Sequence, residues 1–322
     1  TGQDSERGTF AHRHAVLHDA DTGEEYTPLE HVKDARAGFE VHNAPLTETG
    51  ALGFEYGYAT TRPDALVLWE AQFGDFVNVA QVIVDQFIMS GRTKWGDESR
   101  LTLLLPHAFE GSGPEHSSAR LERFLKGAAE DNCTIVYPTT AAQCFHMLRR
   151  QALAPERRPL VVMTPKSLLR LKDASSHLED LEHGTFIKII DDTAVADFRD
   201  DISSVVLCSG KVYYDLKRHP EYTPESGVAI VRLEQLYPFP TETLARTLAG
   251  YPNLEELVWA QEEPANMGAW RSIRHRLEMA APSTPLRYAG RPWRASPAEG
   301  YPPDHKIEQE RLVRDALGLN RR

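Results

Sequence analysis

Short apolar runs of strand length alternate with longer amphipathic stretches along most of this chain, and that alternation limits the fold more than any other feature. Residues 65–69, 101–105, 134–136 and 160–163 are near-continuous apolar runs, the second stopped by Pro106. Runs without polar alternation suit strands buried on both faces. Between them, 47–59, 76–89, 118–129 and 141–150 read as helices. The first has Thr47 as a candidate N-cap with Pro45 shortly before it. The second carries apolar residues at 76, 77, 79, 80, 83, 84, 87 and 88, a helical period. A charged stretch over 171–192 reads as a linker. A second alternation follows, with strands over 205–208, 228–233, 257–260 and 286–288. Its helices fall over 213–219, 241–249, 269–279 and 308–317. The 322 residues suffice for about two domains. The pattern predicts an α/β protein of two doubly wound, mainly parallel-sheet domains, 1–172 and 196–322, joined through 173–195. Residues 1–18 are polar and loop-like, which suggests that an element of the first domain precedes them.

Charge and missing motifs remove whole classes of function. Lys and Arg number 36 against 47 Asp and Glu, a net charge of −11, a poor basis for a nucleic-acid groove. No run approaches the roughly 18 apolar residues of a membrane span, and no basic-then-apolar signal opens the chain. Cys133, Cys144 and Cys208 are odd in number and spaced unlike zinc ligands, so buried thiols of a reducing compartment are expected. Gly210-Lys211 lacks the glycine that a phosphate loop needs five places earlier, where Val205 stands. Gly111-Ser-Gly113 follows Glu110, not the glycine of a nucleophile elbow. No dinucleotide-binding glycine pattern follows a predicted strand. Kinases, simple dehydrogenases, α/β hydrolases and zincins are therefore not first choices.

Open α/β sheets bind ligands beyond the carboxyl ends of their strands. Polar residues concentrate at four loops: 2–8, 43–48, 70–76 and 107–116. Glu48 enters a helix otherwise lined by Gly, Ala, Leu and Phe, where a carboxyl would have a raised pKa and suit proton exchange. A first-turn glutamate also simply complements a helix dipole. Phe73 and Phe76 by themselves suit a core as well as a ring-binding wall. His107 and His116 by themselves suit a surface or a cap.

Longer motifs separate these readings. Gly2-Gln-Asp-Ser-x-Arg-Gly-Thr-Phe-x-x-Arg-His14, Gly53-Phe-Glu-Tyr-Gly-Tyr58, Trp69-Glu-Ala-Gln-Phe-Gly-Asp-Phe76 and Glu115-His-Ser-Ser-Ala-Arg120 resemble the first, decarboxylating component of 2-oxoglutarate dehydrogenase, a thiamine diphosphate enzyme. Leu207-Cys-Ser-Gly-Lys-Val-Tyr-Tyr214, Arg232-Leu-Glu-Gln-Leu-Tyr-Pro-Phe239 and Trp259-x-Gln-Glu-Glu-Pro-x-Asn-Met-Gly-Ala269 resemble its C-terminal domain. The resemblance implies a transketolase-like pyrimidine-binding domain and a transketolase-like C-terminal domain. In that family a preceding domain holds the diphosphate and Mg²⁺ through a Gly-Asp-Gly motif, which is absent here, so no metal ligand is expected in this chain.

The resemblance also implies roles. A glutamate hydrogen-bonds the aminopyrimidine and lets it take a proton from the thiazolium carbon. It lies eleven residues before the alanine of a Gly-x-Ala helix, as Glu48 does before Ala59, with Glu55 as rival. Phe73 matches the aromatic that stacks on the pyrimidine and Phe76 a neighbouring wall. His116 matches a histidine that faces thiazolium and substrate, and His107 is a second substrate candidate. Gln3 and Asp4 match residues near the thiazolium, while Ser117, Ser118 and Arg120 fix the His116 loop. The implied reaction is decarboxylation of 2-oxoglutarate and passage of the succinyl group to a lipoyl-bearing succinyltransferase. A different 2-oxo acid such as 2-oxoadipate, a carboligase, or a non-catalytic dimerisation module remain open. A homodimer is implied, formed through the small-residue helix 50–59. Arg149, Arg150, Arg157 and Arg158 suggest acetyl-coenzyme A as an anionic effector. The implied location is the cytoplasm of a bacterium or the matrix of a mitochondrion.

Overall fold

Two five-stranded sheets take up the apolar runs in a computed structural model that describes residues 1–321. The chain first forms a small exposed hairpin, β1 (Leu17–His18) and β2 (Glu25–Tyr26), which no apolar alternation announces. β3 (Leu68–Glu70), β4 (Thr102–Pro106), β5 (Thr134–Val136) and β6 (Leu160–Thr164) then build a parallel sheet in the order β5-β6-β4-β3. Leu68 pairs with Thr102, and Thr102 with Leu160. The register sets Pro106 beside Thr164 and Glu70 beside Leu104, two residues short of them, and the loops that leave these ends face one edge.

The second sheet contains β7 (Ile189–Ile190), β8 (Ser204–Cys208) and β9 (Val228–Leu233). The chain next returns to the first sheet as β10 (Gln235–Tyr237), antiparallel to β5. It completes the second sheet with β11 (Glu256–Pro264) and β12 (Leu286–Arg291), in the order β12-β11-β8-β9-β7. A strand from beyond residue 196 thus belongs to the first sheet. The stretch 173–195 also holds structure: a helix over Leu178–His183 and β7, antiparallel to β9. Strands of two or three residues are too short to show a period, so neither is marked in the sequence.

Helix α1 (Glu48–Thr61) starts at Thr47, whose Oγ1 accepts from Gly50 N at 3.4 Å. The periodic stretch 76–89 is wound three ways: 3-10 over Gly74–Ala80, one α turn over Gln81–Ile83 and a π turn over Val84–Ile88. Thr49 Oγ1 donates to Val79 O at 2.6 Å and pins this stretch to the start of α1. α2 (Leu121–Gly127) begins later than expected because Arg120 adopts φ +56°. α3 (Ala141–Leu153) is capped by Thr140. In the second half, α4 (Val212–Lys217), α5 (Thr241–Leu248), α6 (Trp270–Ala280) and α7 (Pro302–Ala316) cover the sheet.

One apolar core crosses from Trp69, Leu103 and Met163 of the first sheet to Leu207, Val231 and Trp259 of the second. Cys133 lies buried in this core, Cys208 is buried in a second cluster of the second sheet and Cys144 is partly buried against a third, all as free thiols. Buried charge also joins the halves. Arg291, fully buried, donates from Nε to both carboxylate oxygens of Glu299 at 2.9 and 3.1 Å and stacks over Phe109 at 5.3 Å. Burial pushes the Glu299 carboxyl up, but His305 and Arg291 overcome this and hold it at about 2, from an ordinary 4.5. A carboxylate depressed on folding adds stability above its unfolded pKa and loses it as pH falls through the folded one. Stability should therefore decline between about pH 4.5 and pH 2, by no more than about 3 kcal/mol from this group. Urea unfolding at pH 5 and pH 3 should show a shallower acid slope in Glu299→Gln.

Candidate active site

Three strand ends and the first fifteen residues build one polar edge. Gly2 pairs in parallel with both Glu70 and Asn43, with Thr1 O accepting from Glu70 N at 2.9 Å. The approach demands glycine: φ is +148°, and a Cβ would lie 2.2 Å from Glu70 O. The pairing sets Gln3 and Asp4 just beyond the end of β3. Gln3 Oε1 is buried without a hydrogen-bond partner among the described residues. Asp4 turns away to Arg7, which donates from Nε at 2.8 Å. Arg13 folds back to donate to Glu70 Oε1 at 2.7 Å and to Ser5 O at 2.6 Å. Burial pushes the Glu70 carboxyl up, yet His12 and Arg13 bring it below its ordinary value. Glu70 and Arg13 were missed in the sequence, where nothing in their spacing marks a pair 57 residues apart.

Phe73, Phe76 and His116 lie together. Phe73 meets His116 edge-on at 4.5 Å between ring centres and Phe76 at 6.0 Å, while Phe76 lies 6.0 Å from His116. Phe10 closes the cluster at 5.5 Å from Phe73. These rings are half-buried and leave aromatic surface for a flat ligand. Gly74 lets the backbone nest under the neighbouring loop, since a Cβ there would fall 2.4 Å from Ala119 Cβ and 2.7 Å from Pro106 O. Asp75, buried, then accepts from Ser117 N at 3.2 Å and Ser118 N at 3.1 Å. Burial pushes its carboxyl up against those hydrogen bonds. Ser118 Oγ accepts from Arg120 N at 3.1 Å, while the Arg120 guanidinium reaches Met267.

Glu48 sits half-buried in the first turn of α1, beside the segment that follows Phe73, and makes no hydrogen bond or ion pair among the described residues. Glu55 faces inward, 6% exposed, and accepts from Thr1 Oγ1 at 2.8 Å. His107 does not join the cluster as a substrate group. It is 1% exposed, accepts from Ala119 N at 3.0 Å through Nδ1 and donates to Glu263 Oε1 at 2.9 Å through Nε2. With both ring nitrogens engaged, it braces the His116 loop against the second sheet.

Among the described residues the edge thus offers the aromatic surface of Phe73 and Phe76, a carboxylate without a partner at Glu48, a partly buried imidazole at His116 and the orphaned Gln3 Oε1, a set suited to a polar heteroaromatic ring and proton exchange. A cavity of about 600 Å³ is lined by Glu110, Ser167, Lys211, Asp215 and His305, and neither Phe73 nor His116 is among its lining residues. Among the described residues no three His, Cys, Asp or Glu side chains cluster as a metal site. In the basic cluster, Arg150 donates to Gln235 Oε1 and stacks on Phe186, Arg157 pairs with Asp64 and Arg158 with Glu156.

Residues 1–172 match the family described as transketolase, pyrimidine binding domain, and 175–317 the one described as 2-oxoglutarate dehydrogenase C-terminal. The chain is 54% identical to the 2-oxoglutarate dehydrogenase E1 component of Geobacillus sp. (strain WCH70), over 98% of this chain and 34% of that protein. It is 53% identical to the same component of Azotobacter vinelandii, over 98% and 34%. For that of Coxiella burnetii the identity is 54%, over 99% and 34%. The chain spans about a third of the length of these relatives. The tight nesting at Gly74 should make Gly74→Ala cost about 1–3 kcal/mol, in the range of an overpacked core, read as a lowered urea midpoint.

Proposed function

We propose that this chain, which belongs to the transketolase pyrimidine-binding family and carries the 2-oxoglutarate dehydrogenase C-terminal domain behind it, supplies the pyrimidine side of a thiamine diphosphate site. The enzyme it serves decarboxylates 2-oxoglutarate and passes the succinyl group to a lipoyl-bearing succinyltransferase. The observation that carries this reading is the Phe73–Phe76–His116 ring cluster on the segment to which Thr49 pins the start of α1, where Glu48 makes no hydrogen bond or ion pair among the described residues. The bound cofactor would supply the electron sink for loss of CO₂. Phe73 and Phe76 would flank the pyrimidine, and Glu48 would hold a proton shared with a ring nitrogen. Gln3 would offer its orphaned oxygen to a donor on the ligand. His116 would hold or move a proton at the substrate oxygen. Ligands for Mg²⁺ and the diphosphate would come from outside the described residues.

Assembly follows the same reading. Leu46, Phe54, Val79 and Val82 are more than half exposed along the outer side of α1 and the segment packed on it. Phe54 stacks on Tyr58 at 6.2 Å. A second copy would cover this apolar face in a homodimer. Arg149, exposed beside its three paired neighbours, would serve an anionic effector such as acetyl-coenzyme A. No helix among the described residues is long and apolar enough to cross a membrane, and the relatives named above are bacterial, which supports a cytoplasmic place.

In the full-length protein, Glu48→Gln should keep the unfolding midpoint and lower 2-oxoglutarate turnover at least about a hundredfold. Near-normal turnover at saturating cofactor would promote Glu55 instead. Equal or faster turnover of 2-oxoadipate would reassign the substrate. Sedimentation of the full-length protein should give a dimer burying more than about 2,000 Å², weakened by Phe54→Glu; an active monomer would end the dimer proposal.

A further inference from the structure

We propose that Lys166 and Asp75 are positioning residues that hold the His116 loop from opposite sides and so set the imidazole over the reacting substrate. The proposal rests on the reading of His116 given above. Lys166 arrives from the end of β6, only 5% exposed, and its Nζ donates to the carbonyl oxygen of His116 at 2.6 Å. No carboxylate closes on it as an ion pair among the described residues. Burying an ammonium for one neutral acceptor is costly, because hydration is lost and no opposite charge is gained in contact. Fold alone gives little reason for it: the neighbouring Ser167 N already has Glu110 Oε1 at 3.0 Å. Burial pulls the ammonium's pKa down, while Glu110, Asp75 and Glu262 act to keep it charged.

Asp75 supplies the other hold. Its Oδ1 accepts from both Ser117 N and Ser118 N, the two amides after His116. His116 therefore has a cation on its carbonyl and a carboxylate on the amides that follow it. The side chain of His116 has no hydrogen-bond partner among the described residues, only the edges of Phe73 and Phe76. Its direction is set by the backbone it leaves from, and that backbone is what Lys166 and Asp75 fix. A displacement on the order of 1 Å at a reacting group can cost a hundredfold in rate.

The test is a double-mutant cycle in the full-length enzyme, read as decarboxylation of 2-oxoglutarate with an artificial electron acceptor. Lys166→Met should lower kcat at least about tenfold, with the unfolding midpoint and the half-saturating concentration of thiamine diphosphate little changed. In the His116→Ala background the same change should cost less than about threefold, because the group it positions is gone. Asp75→Ala should show the same loss and the same non-additivity, and Lys166→Arg should restore part of kcat. Full, multiplicative losses in both backgrounds would mean general damage and overturn the proposal, as would a normal kcat in Lys166→Met. If Lys166→Met does not fold, the Asp75 cycle decides by the same criterion. Near-normal activity of His116→Ala would instead remove the reading on which the proposal rests, and the proposal with it.

Discussion

The parallel register of β3, β4 and β6 is the constraint on which the rest of the site depends. Because Leu68, Thr102 and Leu160 stand abreast, the chain leaves all three strands at one edge. The loop after β3 brings Phe73, Asp75 and Phe76; the loop after β4 brings His107 and His116; the turn after β6 brings Lys166. A slip by one residue would exchange the side chains packed on the two faces, taking Trp69, Leu103 and Val161 out of the large core and setting them against the smaller cluster of Val136, Met147, Leu160 and Val162. The hydrophobic effect that fixes the register therefore also fixes where the polar loops meet.

Polar groups at that edge are held by hydrogen bonds that cross between loops. Asp75 bonds the amides of Ser117 and Ser118, His107 receives Ala119 N, and Arg13 crosses to Glu70. Hydrogen bonds to charged groups contribute about 1.5–3 kcal/mol each. Asp75, Glu70 and Arg13 each spend at least one polar atom on another loop, although Asp75 Oδ2 and Glu70 Oε2 stay buried without a partner, while the Glu48 carboxyl and the His116 ring make no hydrogen bond among the described residues. His107 and His116 are the same residue nine positions apart, and only one of them has a ring free to act.

The two halves are less separate than their alternating patterns suggest. β10 leaves the second half to pair with β5, and one core runs through both sheets. Glu263, near the end of the second sheet's long strand β11, holds His107 of the first. The C-terminal half thereby braces the loop that carries His116.

Much was legible in the sequence. Uninterrupted apolar runs announced parallel strands, the 134–136 and 228–233 strands fell on the expected residues, and Thr47 capped α1. The long motifs carried Phe73, Phe76 and His116, which tertiary structure brings into ring contact. These signals are local, and burial or capping at one position is enough to write them. What the sequence by itself determined was the alternation of elements and the types of group offered at each loop. The tertiary structure alone decided which groups are spent on holding the frame. Glu70 with Arg13, Lys166 with the His116 carbonyl, and β10 beside β5 each join residues tens of positions apart. No periodicity records such pairs, because their energy exists only once the strands have set their register.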